Sequence, residues 1–237
     1  MLLNLDALSD NLDRLEEIER VSLRLVTQAL LDYRVVAAEI FREEGDLVAD
    51  IGEDITREAL DLMGMPRINQ RLFGKIDYKR ACYVFHPDYA IKQALFVDSK
   101  AEKTGGQATA TLQTSQLSMT VRQVRSGEEV EVPGKLPTVL VLKDESYLTT
   151  TMFVKYNYAI VDGSNVLRSI TVAAVPNGML QNRYNPTSDD TIWVAGRNAP
   201  SLGEVFRVRL SFSRLRSKAP WRVQKIPLAP AEFRWNQ

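Results

Sequence analysis

Lys75-Ile-Asp-Tyr-Lys-Arg80, then the run from Ala81 to Gln93, then Ala94-Leu-Phe-Val-Asp-Ser-Lys-Ala-Glu-Lys103, is the stretch whose reading decides the fold. It reads as two strands joined by a turn at His86-Pro87-Asp88-Tyr89. Side chains alternate along a strand, so Asp98 and Lys100 share one face while Val97 and Ser99 share the other. A carboxylate and an ammonium two residues apart, just after an apolar run, are what a metal-dependent phosphodiesterase needs. The Asp holds a cation, and the Lys orients or deprotonates an attacking water.

Mg²⁺ takes one or two carboxylates and fills its octahedron with water and phosphate oxygens, so a second acid is sought upstream. Asp88 follows Pro87, and a Pro-Asp ten residues before Asp-x-Lys has the form of the usual nuclease signature. Asp77 is the other candidate. A turn centred on Pro87 and Asp88 pairs Asp77 with Asp98 across the ladder, with Cβ atoms about 5 Å apart. The same turn puts Asp88 at the tip, up to about 33 Å away at 3.3 Å per residue. The geometry favours Asp77, but one bulge in either strand would shift the register.

Working outward, a chain of 237 residues is long enough for a substantial core, and its 45% hydrophobic and 25% charged content is ordinary for a globular protein. No run of 18 apolar residues occurs, so no membrane span is expected. The first residues lack the basic region and apolar core of a secretory signal. Cys82 stands alone, reads as a buried strand residue, and fits a reducing cytoplasm. Net charge is zero, yet the charges are unevenly spread. Residues 1–70 carry 7 basic and 16 acidic side chains, whereas the chain from 166 onward carries 11 basic and 4 acidic, nine of the basic ones Arg. Such asymmetry is compatible with a phosphate-binding face.

Residues 4–44 read as helix, with Leu5, Leu8, Leu12, Leu15, Ile18, Leu23, Val26 and Leu30 at helical spacing and an acidic face that reads as solvated or as a subunit contact. A second helix is expected from near Asp54 to Gly64, with Glu53 and Asp54 as capping residues and Glu53 alternatively an outer-shell acid. Residues 104–119 read as a surface loop leading into a short helix, or as a segment following a phosphate backbone. Strands are expected over 136–142, 149–161, 169–175 and 204–215, with an exposed turn or hairpin at 126–135 and a turn at Asp162-Gly163. Residues 177–203 are irregular and dense in Asn, Gln and Arg, the side chains that read purine edges. The end of the chain, from Trp221 to Trp235, reads as an irregular tail.

The lone His86 excludes nucleases built on several histidines and His-based zinc sites, and reads as a turn residue. Neither a Gly-x-x-x-x-Gly-Lys-Ser/Thr loop nor a Gly-x-Ser-x-Gly elbow is present. Carboxylate-plus-lysine metal chemistry remains.

Further words of the chain carry a resemblance. They are Glu53-Asp-Ile-Thr56, Ile68-Asn-Gln-Arg71, Phe73-Gly74, Ile76-Asp-Tyr-Lys-Arg80, Val97-Asp98 with Lys100-Ala101, Thr111-Leu-Gln113, Ser115-Gln-Leu117, Arg183-Tyr-Asn-Pro186, Arg207-Val-Arg209 and Pro220-Trp-Arg222. In order and spacing, over roughly residues 50–225, they resemble the SfiI family of type II restriction endonucleases. Val175-Pro-Asn-Gly178 is more distantly similar to BglI.

The resemblance implies an α/β (α+β) fold with a restriction-endonuclease-like PD-(D/E)xK core of the EcoRV-like branch: a mixed central sheet flanked by helices, after an N-terminal helical segment. One nuclease domain over 1–237 is expected, mainly helical over 1–64, with the catalytic sheet over 68–175 and DNA recognition and the tail over 176–237. The resemblance implies Asp77, Asp98 and Lys100 as catalytic residues, and one or two Mg²⁺ held by Asp77, Asp98 and the Ser99 carbonyl. Asp88 becomes a decoy. The expected substrate is double-stranded DNA at a palindromic site, interrupted or rare, cut by a homodimer at minimum; the family also contains tetramers. A cognate DNA methyltransferase is the expected functional partner. Candidate DNA contacts are Lys103, Gln113, Gln116, Asn177, Asn182, Arg183, Asn185, Arg197, Arg207 and Arg209. Two other readings stand beside this one: a structure-specific nuclease of the same fold, and a DNA-binding domain without catalysis.

Overall fold

In the computed structural model, residues 1–45, 48–69, 78–105, 108–195 and 208–237 are described. The chain runs through α1 (Leu12–Glu43), α2 (Val48–Asp61), β1 (Tyr78–His86), β2 (Tyr89–Lys103), β3 (Thr109–Leu112), β4 (Val121–Arg125), β5 (Glu128–Val132), β6 (Val139–Leu142), β7 (Glu145–Val161), β8 (Ser164–Val175), α3 (Gln181–Tyr184), β9 (Trp193–Ala195), β10 (Val208–Ser211), α4 (Phe212–Lys218) and β11 (Val223–Pro227).

The central sheet has the order β1-β2-β7-β8-β11, with β6 also pairing β7. β2 and β7 run parallel and their neighbours antiparallel, so the sheet is mixed. The hairpin holds its expected register without a bulge, from Tyr78 opposite Val97 to His86 opposite Tyr89. Asp77 itself lies outside the described residues. A small sheet, β3-β10-β9, and a hairpin, β4-β5, complete the strands.

α1 forms because Leu15, Ile18, Leu23, Val26, Leu30, Ala37 and Phe41 recur on one stripe, and all are buried. Each fully buried large aliphatic side chain contributes about 1.5–3 kcal/mol relative to exposure. The expected helix over 4–44 is interrupted. Asp6–Leu8 is a separate 3-10 turn, and the Asn11 side chain caps α1 by accepting from the Arg14 N–H at 3.2 Å. α1 packs along β8, and α2 packs on β2 and α1.

Three further expectations are corrected. α2 begins at Val48, so Glu53 and Asp54 lie within it and are not caps; the buried Ile51, Ile55 and Ala59 extend its apolar stripe toward the N-terminus. The strand expected over 204–215 is described from Val208 and stops at Ser211, whose hydroxyl accepts from the Arg214 N–H and starts α4. The C-terminal tail holds a strand, β11, whose buried Val223 and Ile226 join the sheet beside β8. The remaining strands run longer or shorter than expected at their ends, as with β6, β7 and β8. The Asp162-Gly163 turn is present, both residues at positive φ. Among the described residues no helix is long and apolar enough to cross a membrane.

Candidate active site

Asp98 is only 2% exposed, and both of its oxygens are engaged. The Lys100 ammonium donates to Oδ2 at 2.9 Å, the shared strand face that alternation requires. The Gln116 amide nitrogen donates to Oδ1, also at 2.9 Å. Gln116 is held in turn: its Oε1 accepts from the Gln113 N–H at 2.7 Å, and its carbonyl accepts from the Thr151 hydroxyl at 3.3 Å. With Oε1 occupied by a donor, the amide must present Nε2 to Asp98. Lys100 lies 5.8 Å from the Phe153 ring centre, on the neighbouring strand β7, and its side chain is 39% exposed. One end of the Asp-Lys pair is therefore anchored in the protein while the other meets solvent.

The opposite face of β2 is closed. The buried Ser99 hydroxyl donates to Thr56 Oγ1 on α2 at 2.8 Å, and Thr56 bonds Tyr156 at 2.7 Å and the Gly52 carbonyl at 2.9 Å. Gly52 lets the helix approach closely here: a Cβ would meet the Tyr156 ring at 3.0 Å. Glu53, the next residue, is partly buried on this helix. Burial raises the Tyr156 phenol far above its usual range, so the group stays neutral.

The donor set suits a hard cation. A carboxylate offers about four lone-pair positions, and the two engaged by Gln116 and Lys100 leave others open on Asp98. No Cys or His stands among its bonded partners. Among the described residues no three His, Cys, Asp or Glu gather into a metal group. Asp88 sits in the exposed turn, beside His86.

The expected DNA contacts divide. Gln116 is buried and bonded to Asp98, Asn177 is buried and donates to the Thr138 and Thr149 carbonyls, and the buried Asn185 donates to the Thr120 carbonyl. These three side chains are committed inside the protein rather than offered to a groove. In the segment 104–119, Thr104, Gly105 and Ala108 are exposed and the short helix is a 3-10 turn, Thr114–Gln116, but β3 precedes it, and Thr114 to Leu117 and Met119 are buried. Arg183 is occupied by Asp13 at 2.7 Å and Glu16 at 3.0 Å, which raises its pKa. Glu16 and Glu19 of the acidic helix face are correspondingly not simply solvated. Glu19 binds the fully buried Arg222 at 2.6 Å and accepts from the Asn177 N–H at 2.8 Å. Lys103 and Asn182 are exposed, and Gln113 and Arg209 are partly buried. Arg197 and Arg207 lie outside the described residues. Sequence reasoning missed the bond from Gln116 to Asp98 and the anchor at Thr56; neither has a local spacing signal.

A mixed sheet flanked by helices, with a buried Asp and a solvent-reaching Lys on one strand face, is an arrangement whose class the comparisons with known proteins give as restriction endonuclease. The family model of the type II restriction enzyme SfiI matches residues 30–226. The type II restriction enzyme SfiI of Streptomyces fimbriatus is 36% identical over 232 residues, covering 91% of this chain and 85% of that protein. The crystal structure of tetrameric SfiI bound to cognate DNA superposes with a TM-score of 0.80 at 35% identity, covering 93% of this chain and 87% of that one. BglI bound to its DNA recognition sequence shares the fold, with a TM-score of 0.76 at 18% identity over 94% of both chains. The chain belongs to the SfiI family of type II restriction enzymes.

Proposed function

We propose that the chain hydrolyses both strands of duplex DNA at a palindromic recognition sequence, interrupted or rare, with Mg²⁺ as cofactor. The observation that carries this reading is the buried Asp98 bonded to Lys100 at 2.9 Å on β2. It sits within a fold that the SfiI structure matches along nearly its whole length. Asp77, Asp98 and the Ser99 carbonyl would hold the metal. The unshifted hairpin register supports Asp77, because the residue before Tyr78 is next in line for the partner of Val97's successor, Asp98. Mg²⁺, when bound, makes a water nucleophilic near neutral pH and offsets charge on the phosphate.

The remaining work falls to the protein. Gln116 fixes the carboxylate rotamer of Asp98. Lys100, free to reach solvent at one end, orients the attacking water against the phosphorus, and the water's proton passes to bulk solvent. The water oxygen bonds to phosphorus as the bond to the 3′ oxygen breaks, leaving a 5′-phosphate and a 3′-hydroxyl. Glu53, on the helix behind Ser99, is an outer-shell acid in this proposal. Lys103, Gln113, Asn182, Arg197, Arg207 and Arg209 remain the proposed groove and backbone contacts.

A palindrome read symmetrically requires a two-fold protein. A tetramer is proposed, since the SfiI structure is tetrameric. A methyltransferase protecting the same sequence is the functional partner.

The test is digestion of supercoiled plasmid with Mg²⁺ or EDTA, followed by sequencing of the ends. Discrete ends at one sequence, only with Mg²⁺, are expected. Ends set by DNA structure would indicate a junction nuclease, and no cleavage with any divalent ion would sink the enzyme reading. Asp77→Ala is expected to abolish cleavage and Asp88→Ala to preserve it; the reverse would overturn the ligand assignment.

A further inference from the structure

The Asp98 face of the sheet continues beyond the catalytic pair. Lys100 on β2 lies opposite Lys155 on β7, Lys155 opposite Thr171 on β8, and Thr171 opposite Lys225 on β11. Residues in register point to one face, so these four side chains form a row across four strands. Lys225 stands about 14 Å from Lys100, at about 4.8 Å per strand. The far end of this row opens into a cavity of about 260 Å³ lined by Lys155, Lys225, Arg216, Asn157, Ser169 and Thr171, among others, and among the described residues no carboxylate belongs to its lining.

The chemistry of that lining is that of an anion seat. Lys155 is nearly buried and is held by Glu102 and by the Thr109 carbonyl at 3.3 Å. Arg216 and Lys225 are exposed, and among the described residues neither has an ion-pair partner. Asn157 donates its amide to Ser169 Oγ and Thr171 Oγ1, both at 3.3 Å. Each of those hydroxyls accepts from Asn157 and retains one hydrogen that can donate. Two cations without an ion-pair partner among the described residues and two hydroxyls thus line a cavity large enough for a phosphate group, and phosphate recognition is strongest from charged and bidentate donors.

We propose that this cavity seats a backbone phosphate of the bound duplex, about three to four nucleotide steps of axis length from the scissile phosphate. The proposal rests on the nuclease reading, because it takes its occupant from that substrate. The seat positions the strand along the cation row and carries no base information, so it contributes equally to cognate and non-cognate DNA.

The test compares the wild type with the double variant Arg216→Gln/Lys225→Gln, and with Arg42→Gln/Arg168→Gln, which removes the same charge from a different cavity. Duplex binding is measured against salt concentration with EDTA present, for cognate and random sequences. Thermal stability is measured with inorganic phosphate against chloride at equal ionic strength. In the first variant, the slope of log K against log salt should fall by about 1 for both sequences. The phosphate-dependent rise in Tm should disappear as well. The control pair should leave both unchanged. Loss of the Tm response with an unchanged salt slope would make the cavity a seat for free anions and overturn the proposal, as would no change in either. A wild type that binds no duplex would instead overturn the nuclease reading itself, and with it this occupant.

Discussion

The two faces of strand β2 are one residue apart and do opposite things. On the Ser99 face the polar groups around Ser99 are spent inside the protein, from Ser99 through Thr56 to Tyr156 and the Gly52 carbonyl. On the Asp98 face the carboxylate is pinned from behind by Gln116 while Lys100 reaches solvent, and the row of cations continues to Lys225. Satisfied, buried polarity fixes a strand in place. Half-satisfied polarity facing water is what a charged substrate and a cation can complete. The closed face holds the backbone that the open face needs.

Breaking the open face should cost most. Asp98→Ala is expected to reduce Mg²⁺-dependent cleavage by more than about 10³-fold, the loss of several kcal/mol of metal-derived stabilisation. Single-turnover rates check this. Gln116→Ala should act less strongly and differently. Because it only orients Asp98, the expected loss is about 10- to 100-fold, concentrated in metal affinity and partly restored by raised Mg²⁺. A metal titration of the cleavage rate separates that from a folding defect.

Breaking the closed face should change stability instead. Thr56→Ala leaves Ser99 and Tyr156 without their shared partner, and is expected to destabilise by about 1–3 kcal/mol. Denaturant melts give this value, with the cleavage rate of the folded fraction near that of wild type. Cys82 sharpens the comparison at the smallest scale. Burial pushes its thiol up to about 12, from an ordinary value of 9.0. Thiolate, and hence alkylation by iodoacetamide, should be suppressed on the order of 10³-fold until the sheet unfolds. Labelling of native against denatured protein checks it.

Much of this contrast was legible in the sequence, because it depends on alternation. The hairpin turn at Pro87, its register and the common face of Asp98 and Lys100 all follow from local spacing. The mixed sheet followed from the family resemblance. What could not be read depends on residues distant in the chain. Gln116 carried the signature of a base-reading amide, yet a capping interaction at Gln113 turns it onto Asp98. Asn177 and Asn185 looked like groove contacts, yet the backbone carbonyls of β7 and of neighbouring loops needed their donors. β11 was hidden because a five-residue strand ending in Pro227 gains its stability from β8, not from its own pattern. Arg222 reaches Glu19 across 203 residues, so no local spacing could have revealed that the acidic helix face is partly internal.

The division of labour on β2 is tested most directly by one cleavage assay. Supercoiled plasmid is incubated with Mg²⁺ and equal amounts of folded wild type, Asp98→Asn and Thr56→Ala, well below their melting temperatures. The expected result is linear product within a few-fold of wild type for Thr56→Ala, and intact plasmid for Asp98→Asn. Cleavage by Asp98→Asn at the wild-type rate would contradict the assignment of the open face as the site of chemistry.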